Sequence, residues 1–155
     1  MGLDPKEPFP KRARLKDFDY TGTYAYFITI LTRDRGTYFT ETDVVDVSIE
    51  ILQEVARSKR FKILTYCFMP DHLHLLVVGE SENSNLKKFI SLFKQKSGYW
   101  YKMNFDKELW HVSYHDHVLR REENLETVAM YILGNPVRKG LVSDYKEYRF
   151  SRCFW

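Results

Sequence analysis

The chain reads as a single α+β domain: a ferredoxin-like, split βαβ antiparallel sheet followed by one extra C-terminal helix. Three observations predict this. Element signals run strand, helix, strand, strand, helix, strand, helix. The two middle strand runs are separated only by Pro70-Asp71, a short link of the kind that joins antiparallel neighbours. Helical periodicity then returns once more after the last strand. Residues 23–155 are expected to form one domain behind an extended N-terminal arm, 1–22, because no linker or repeat divides the chain further.

Each element has its own signal. The arm carries Pro5, Pro8 and Pro10 and then Lys11-Arg12-Ala13-Arg14, with no sustained period. Tyr24 to Thr32 is β-branched and aromatic and ends at the charged turn Arg33-Asp34-Arg35-Gly36, as a buried strand would. Apolar residues from Val44 to Val55, with Thr42 or Asp43 as cap, predict a helix to about Lys59. Ile63 to Met69 and His72 to Val78 are the hairpin strands. Leu86, Phe89, Ile90 and Phe93 recur at helical offsets, so a second helix runs from about Leu86 to Tyr101, capped by Ser84 or Asn85. Trp110 to Leu119 reads as a further strand, and Leu125, Val128, Ala129, Ile132 and Leu133 mark a third helix that Pro136 should end.

Composition narrows the function classes. The 155 residues include 44% hydrophobic and 16% aromatic side chains, ample for a core with rings left for a binding surface. With 24 Lys+Arg against 21 Asp+Glu, the net charge of +3 permits a polyanionic partner without demanding one. Cys67 and Cys153 lie far apart, which argues against a disulfide framework or a cysteine zinc site and suits a reducing cytoplasm. No apolar run approaches the roughly 20 residues of a membrane span, and Met1 to Tyr20 is unlike a signal peptide.

Chemistry concentrates in three stretches. In Pro70-Asp71-His72-Leu73-His74-Leu75-Leu76-Val77, strand alternation puts His72 and His74 on one face and Leu73, Leu75 and Val77 on the other. If the leucines face the helices, both imidazoles face the side that this fold leaves open, where they can share a divalent ion given at least one more ligand. An isolated pair of this kind also has ordinary structural explanations. In Tyr131-Ile132-Leu133-Gly134-Asn135-Pro136-Val137, Tyr131 and Asn135 project together, one turn apart, off the apolar stripe. They offer a hydroxyl nucleophile and an oxygen ligand. The third stretch, Trp110 to Val118, holds His111, His115 and His117; on a strand His115 and His117 share a face, as ligands or as local hydrogen-bonding groups, while Asp116 and His117 are candidates to orient the site from outside.

Taken in order, these stretches resemble a known family, the HUH single-strand DNA transposases with one catalytic tyrosine, and within it the branch of REP-associated tyrosine transposases. The matching segments are Arg14-Leu15-Lys16 with Asp19-Tyr20, Tyr26-Phe27-Ile28-Thr29, Met69 to Leu76, Tyr114 to Arg120, and Tyr131 to Val137 followed by Arg138, Gly140, Leu141 and Val142. The resemblance covers roughly the whole chain. It implies that His72 and His74 are the HUH pair, that Asn135 is the third ligand of Mg²⁺ or Mn²⁺, and that Tyr131 is the nucleophile, forming a 5′-phosphotyrosine link that a 3′-hydroxyl can reverse. It further implies a partner, single-stranded DNA near a hairpin, and a role in DNA transposition or recombination in the nucleoid of a prokaryotic cell. Relatives include dimers that exchange the tyrosine helix and monomers, so a homodimer stays open. His115 stands where relatives usually have an aromatic residue and is left outside the catalytic set, as is His111. Arg33, Arg35, Lys94, Lys96, Arg138 and Lys139 are the candidate DNA phosphate contacts. Two other readings compete: a non-catalytic single-strand nucleic-acid binding module, and a metal hydrolase using His72, His74, His115 and His117 with water as nucleophile.

Overall fold

The structure, a computed structural model, describes residues 18–120 and 123–155. The described elements run β1 (Ala25–Leu31), α1 (Thr42–Lys59), β2 (Phe61–Met69), β3 (His72–Gly79), α2 (Leu86–Phe105), β4 (His115–Val118), α3 (Leu125–Arg138) and β5 (Ser151–Cys153), with 3₁₀ turns at Arg33–Arg35 and Tyr145–Glu147. They form one antiparallel sheet in the order β4-β1-β3-β2-β5. The expected split βαβ arrangement is therefore present, with β5 added at the β2 edge. Arg14 to Lys16 lie outside the described residues, as does the arm up to residue 17. Its last residues pack on the domain: Tyr20 is fully buried and stacks on Tyr26, and its carbonyl accepts the Leu86 N–H at 2.9 Å.

Strand alternation divides the core in two. Tyr26, Ile28 and Ile30 of β1 and Leu73, Leu75 and Val77 of β3 join Val45, Leu52 and Val55 of α1 and Phe89, Ile90 and Phe93 of α2. On the opposite face Phe27, Leu64, Cys67, Met69 and Leu76 pack against Val128, Ala129 and Ile132 of α3. A bulge between Ile63 and Thr65 changes the phase of β2. Beyond it Tyr66 and Phe68 point into the first core, while Cys67 and Met69 flank His74 and His72 on the second.

Several sequence expectations are corrected. The sheet face carrying the histidines is not left open: α3 packs on β2 and β3, and His72 and His74 are only 8% and 5% exposed. With α1 and α2 occupying the other face, the apolar stripe of α3 has this one left to cover. Helix α3 also continues through Pro136 to Arg138. Proline removes one N–H, but in the last turn only one intrahelical bond is lost, and Asn135 and Pro136 carbonyls still accept from Lys139 and Leu141 at 3.0 and 2.9 Å. Strand β4 is shorter than expected because pairing to the β1 edge is interrupted: Trp110 bridges Thr32 in isolation, its indole N–H donating to Ser97 Oγ at 2.8 Å, and the ladder resumes only at His115 opposite Thr29. Helix α1 is preceded by Glu41, without a side-chain cap, and α2 by Asn85, whose Oδ1 accepts from the Lys88 N–H. No helix among the described residues is long and apolar enough to cross a membrane.

Candidate active site

Two adjacent elements build the site. In β3, His72 and His74 project toward α3, and their Nε2 atoms lie 3.2 Å apart. Each ring is fixed by its other nitrogen. His72 Nδ1 donates to Asp71 Oδ1 at 2.7 Å, and His74 Nδ1 shares a 2.9 Å hydrogen bond with Thr29 Oγ1, its cross-strand partner on β1. With Nδ1 of His72 bonded to a carboxylate, its Nε2 keeps a lone pair directed at the space shared with His74.

Asp71 is itself held. Its carbonyl accepts from the N–H and the Oγ1 of Thr32, both at 3.1 Å, and the Pro70 carbonyl accepts from the Phe39 N–H, so the hairpin tip is clasped by the chain that follows β1. Arg35 reaches the second carboxylate oxygen at 2.9 Å. The hydrogen bond from His72 above all, with the Arg35 guanidinium beside it, holds the Asp71 carboxyl well below its ordinary value, at about 2. Asp34 and Arg35 both adopt left-handed backbone, φ 56° and 55°, in the turn that delivers this arginine.

Helix α3 supplies the rest. Its N-terminus is fixed by Asn124, whose Oδ1 accepts from Glu126 and Thr127. Asn135, 3% exposed, places Nδ2 3.3 Å from His72 Nε2, while its Oδ1 is buried with no hydrogen-bond partner. A buried orphan oxygen is costly unless something electropositive meets it. Turning the amide over would put Oδ1 where Nδ2 lies, 3.3 Å from His72 Nε2. The 3.2 and 3.3 Å spacings are near the edge of an octahedron around a small hard cation, about 3.0 Å for bonds of about 2.1 Å. The donor set fits a divalent ion such as Mg²⁺ or Mn²⁺. Among the described residues no group of three His, Cys, Asp or Glu side chains could hold one, which makes the amide essential to the fit.

Tyr131 stands one helical turn before Asn135, its ring edge-on to Phe27 at 5.9 Å and 6.2 Å from the His74 ring. Four residues separated in sequence, His72, His74, Tyr131 and Asn135, are thus gathered at one spot. The remaining candidates are distributed more widely. Arg35 and Arg138 border the spot. Arg33 donates to the Trp110 carbonyl and Lys94 to the His111 carbonyl at 2.7 Å, while Lys96 pairs with Glu54 between α2 and α1, on the other layer of the molecule. Lys139 caps the end of α3. Asp116 and His117 project from opposite faces of β4: Asp116 is buried opposite Ile28, and His117 lies opposite Phe27 and pairs with Glu123 at 2.8 Å. His115 is opposite Thr29, so it shares the face of the histidine pair, two strands away from His74. Thr29, Asp71 and Glu123 were not singled out from the sequence. Asp71 had a signal in its place immediately before His72; Thr29 needs the strand register to be seen.

The chain is similar to known proteins over most of its length. Residues 21–135 match the family model described as "Transposase IS200 like". A provisionally named REP-associated tyrosine transposase of Haemophilus influenzae is 26% identical over 144 residues, covering 86% of this chain and 81% of that protein. The REP-associated tyrosine transposase of Escherichia coli is 24% identical over 130 residues, covering 81% and 74%. Among solved structures, a REP-associated tyrosine transposase bound to a REP hairpin superposes with a TM-score of 0.76 at 19% identity, covering 90% of this chain and 82% of that one. A provisionally assigned transposase of Deinococcus radiodurans superposes with a TM-score of 0.56 at 21% identity, covering 77% and 95%. The family resemblance read from the sequence is borne out: the chain belongs to the IS200-like transposase family.

Proposed function

We propose that this transposase-family protein is a metal-dependent nuclease and strand transferase for single-stranded DNA near a hairpin, with Tyr131 as nucleophile. The observation that carries the reading is the convergence of His72 Nε2, His74 Nε2 and the side-chain amide of Asn135, whose oxygen has no hydrogen-bond partner, one helical turn from Tyr131. The hairpin partner is supported by the solved relative, which is bound to one. Because His117 Nε2 is engaged by Glu123, a four-histidine hydrolase has less support.

His72, His74 and Asn135 would hold Mg²⁺ or Mn²⁺, with Asp71 and Thr29 keeping the rings in place. When bound, the ion supplies positive charge that polarises a non-bridging phosphate oxygen and helps orient the scissile phosphate. A phenol with an ordinary pKa of about 10 is a weak nucleophile at neutral pH, so positioning must contribute much of the rate. The Tyr131 oxygen forms a bond to phosphorus as the bond from phosphorus to the 3′ oxygen breaks. The phenol gives up its proton, and the departing oxygen takes one up from the medium to become a 3′-hydroxyl. One phosphodiester replaces another, so a 3′-hydroxyl can reverse the step and join strands with no nucleotide cofactor.

The test incubates the protein with single-stranded hairpin DNAs from the ends of the flanking sequence of its gene, with Mg²⁺ or Mn²⁺, and seeks a covalent adduct on a denaturing gel. Wild type is expected to form an adduct that chelation abolishes, and Tyr131→Phe to form none while binding DNA normally. Tight, salt-sensitive binding by both proteins without an adduct would favour the binding module instead.

A further inference from the structure

Helix α3 presents Tyr131, Gly134, Asn135 and Arg138 along one stripe, at offsets 0, 3, 4 and 7. Arg138 runs back along this stripe toward the helix start. Its Nη2 donates to the Tyr131 carbonyl at 2.7 Å, and its guanidinium lies over the Tyr131 ring, 4.1 Å from the centroid. The path crosses Gly134, where a Cβ would meet Arg138 Nη1 at 2.8 Å. Glycine is an unfavourable choice in a helix interior, and here it clears the space the guanidinium occupies.

We propose that Arg138 is a positioning residue that clamps the Tyr131 ring for attack, with Gly134 as the berth that admits it. The inference rests on the reading of Tyr131 as nucleophile and goes beyond it, since a cation near DNA needs neither the stacked geometry nor the glycine. A tyrosine on a helix surface can turn about two side-chain bonds. In-line displacement requires its oxygen at one place. Phe27 packs against the ring in a T-shaped contact, and the guanidinium lies over a face, so ring rotation is restricted by both neighbours. The bond to the Tyr131 carbonyl fixes the arginine to the same turn that carries the ring, so the clamp moves with the nucleophile. Lysine at this place would keep the charge and lose the planar stack and the fork that reaches the carbonyl.

The test compares wild type, Gly134→Ala, Arg138→Lys and Arg138→Ala. Adduct formation is followed in a single turnover at saturating hairpin DNA with Mn²⁺, beside DNA affinity and melting temperature. Gly134→Ala is the discriminating variant. The obstructed atom is the far end of a flexible side chain, so the helix is expected to form as well as before while Arg138 is displaced. Its melting temperature and DNA affinity are expected to be retained and its saturated rate to fall at least about tenfold, the scale of a misplaced reacting group. Arg138→Ala should lose at least as much of the saturated rate, whatever it also loses in DNA affinity, and Arg138→Lys should recover little of the rate. Wild-type rate in Gly134→Ala, or a defect in Arg138→Ala confined to DNA affinity, overturns the clamp. A second readout needs no DNA: 3-fluorotyrosine placed at position 131 should give one ¹⁹F resonance in the parent that shifts and broadens in Gly134→Ala and Arg138→Ala. A resonance indifferent to both changes also overturns the clamp. If the resonance responds while even the parent forms no adduct, the clamp stands and the nuclease reading alone has failed.

Discussion

The two faces of the sheet are made from the same strands, one residue out of step, and they follow different rules. Toward α1 and α2, Leu73, Leu75 and Val77 lie in an apolar core with no accessible surface, paved with aromatic pairs such as Phe61 on Phe89. Toward α3, His72 and His74 are nearly as buried, yet each is tied by a directional bond, to Asp71 and to Thr29, and they face an amide whose oxygen lacks a partner. One face is satisfied by area removed from water, which is tolerant of direction. The other depends on particular atoms at particular distances, and it leaves a polar group unmet where a ligand would meet it. On the proposed function, stability and chemistry are separated by the pleat of a single strand, and substitutions at neighbouring positions should separate them too.

The sharpest contrast is between His74 and Leu75. On the proposed mechanism, His74→Ala should lower metal-dependent adduct formation by at least about a hundredfold while costing less than about 2 kcal/mol of stability. Leu75→Ala should cost about 2–5 kcal/mol in denaturant unfolding, with the rate per folded molecule near that of the parent. Equal stability losses at the two positions would break the comparison. Asp71→Asn is expected to weaken Mn²⁺ binding by about 10–100-fold in calorimetry, because the His72 ring exchanges a charged carboxylate acceptor for a neutral amide that orients it less firmly. It also carries a pH signature. The carboxyl is lowered from an ordinary 3.8 to about 2, so its contribution to stability is complete above the higher value and is lost as pH falls toward the lower one. The stability advantage of the parent over Asp71→Asn should therefore shrink between about pH 4 and pH 2 and be gone below it. The smallest effects concern the basic residues. Arg35→Ala, beside the site, should reduce the salt dependence of DNA binding by about one unit of slope. Lys96→Ala should leave it unchanged, since Lys96 pairs with Glu54 on the far layer; a loss there would mean that DNA also contacts the helical layer.

Much of this was legible in the residues. Alternation alone put His72 and His74 on one face, and helical spacing put Tyr131 and Asn135 on one stripe, because both periods are properties of a short stretch of backbone. The paired strands on either side of Pro70-Asp71 needed no more than a turn signal. Local rules failed where distant chain overrode them. Pro136 would end an isolated helix, but here it falls in a last turn whose carbonyls find other donors. Ser151 to Cys153 has no strand pattern, and β5 forms because β2 offers an edge to it. Trp110 keeps only an isolated bridge to Thr32 and is at the same time a core residue, because its ring and indole N–H found partners on Phe39, Phe93 and Ser97.

The sequence by itself determined the family, the element order and the identity of the chemical groups, since each of these is carried by residues close together or by motifs in a fixed order. Only the tertiary structure decided which face α3 would cover, that Thr29 would be the partner of His74, and that Gly134 would open a path for Arg138 to the ring of Tyr131. Those are matters of register and packing between segments up to about a hundred residues apart, where burying a stripe or satisfying a polar atom depends on what the rest of the chain has already occupied.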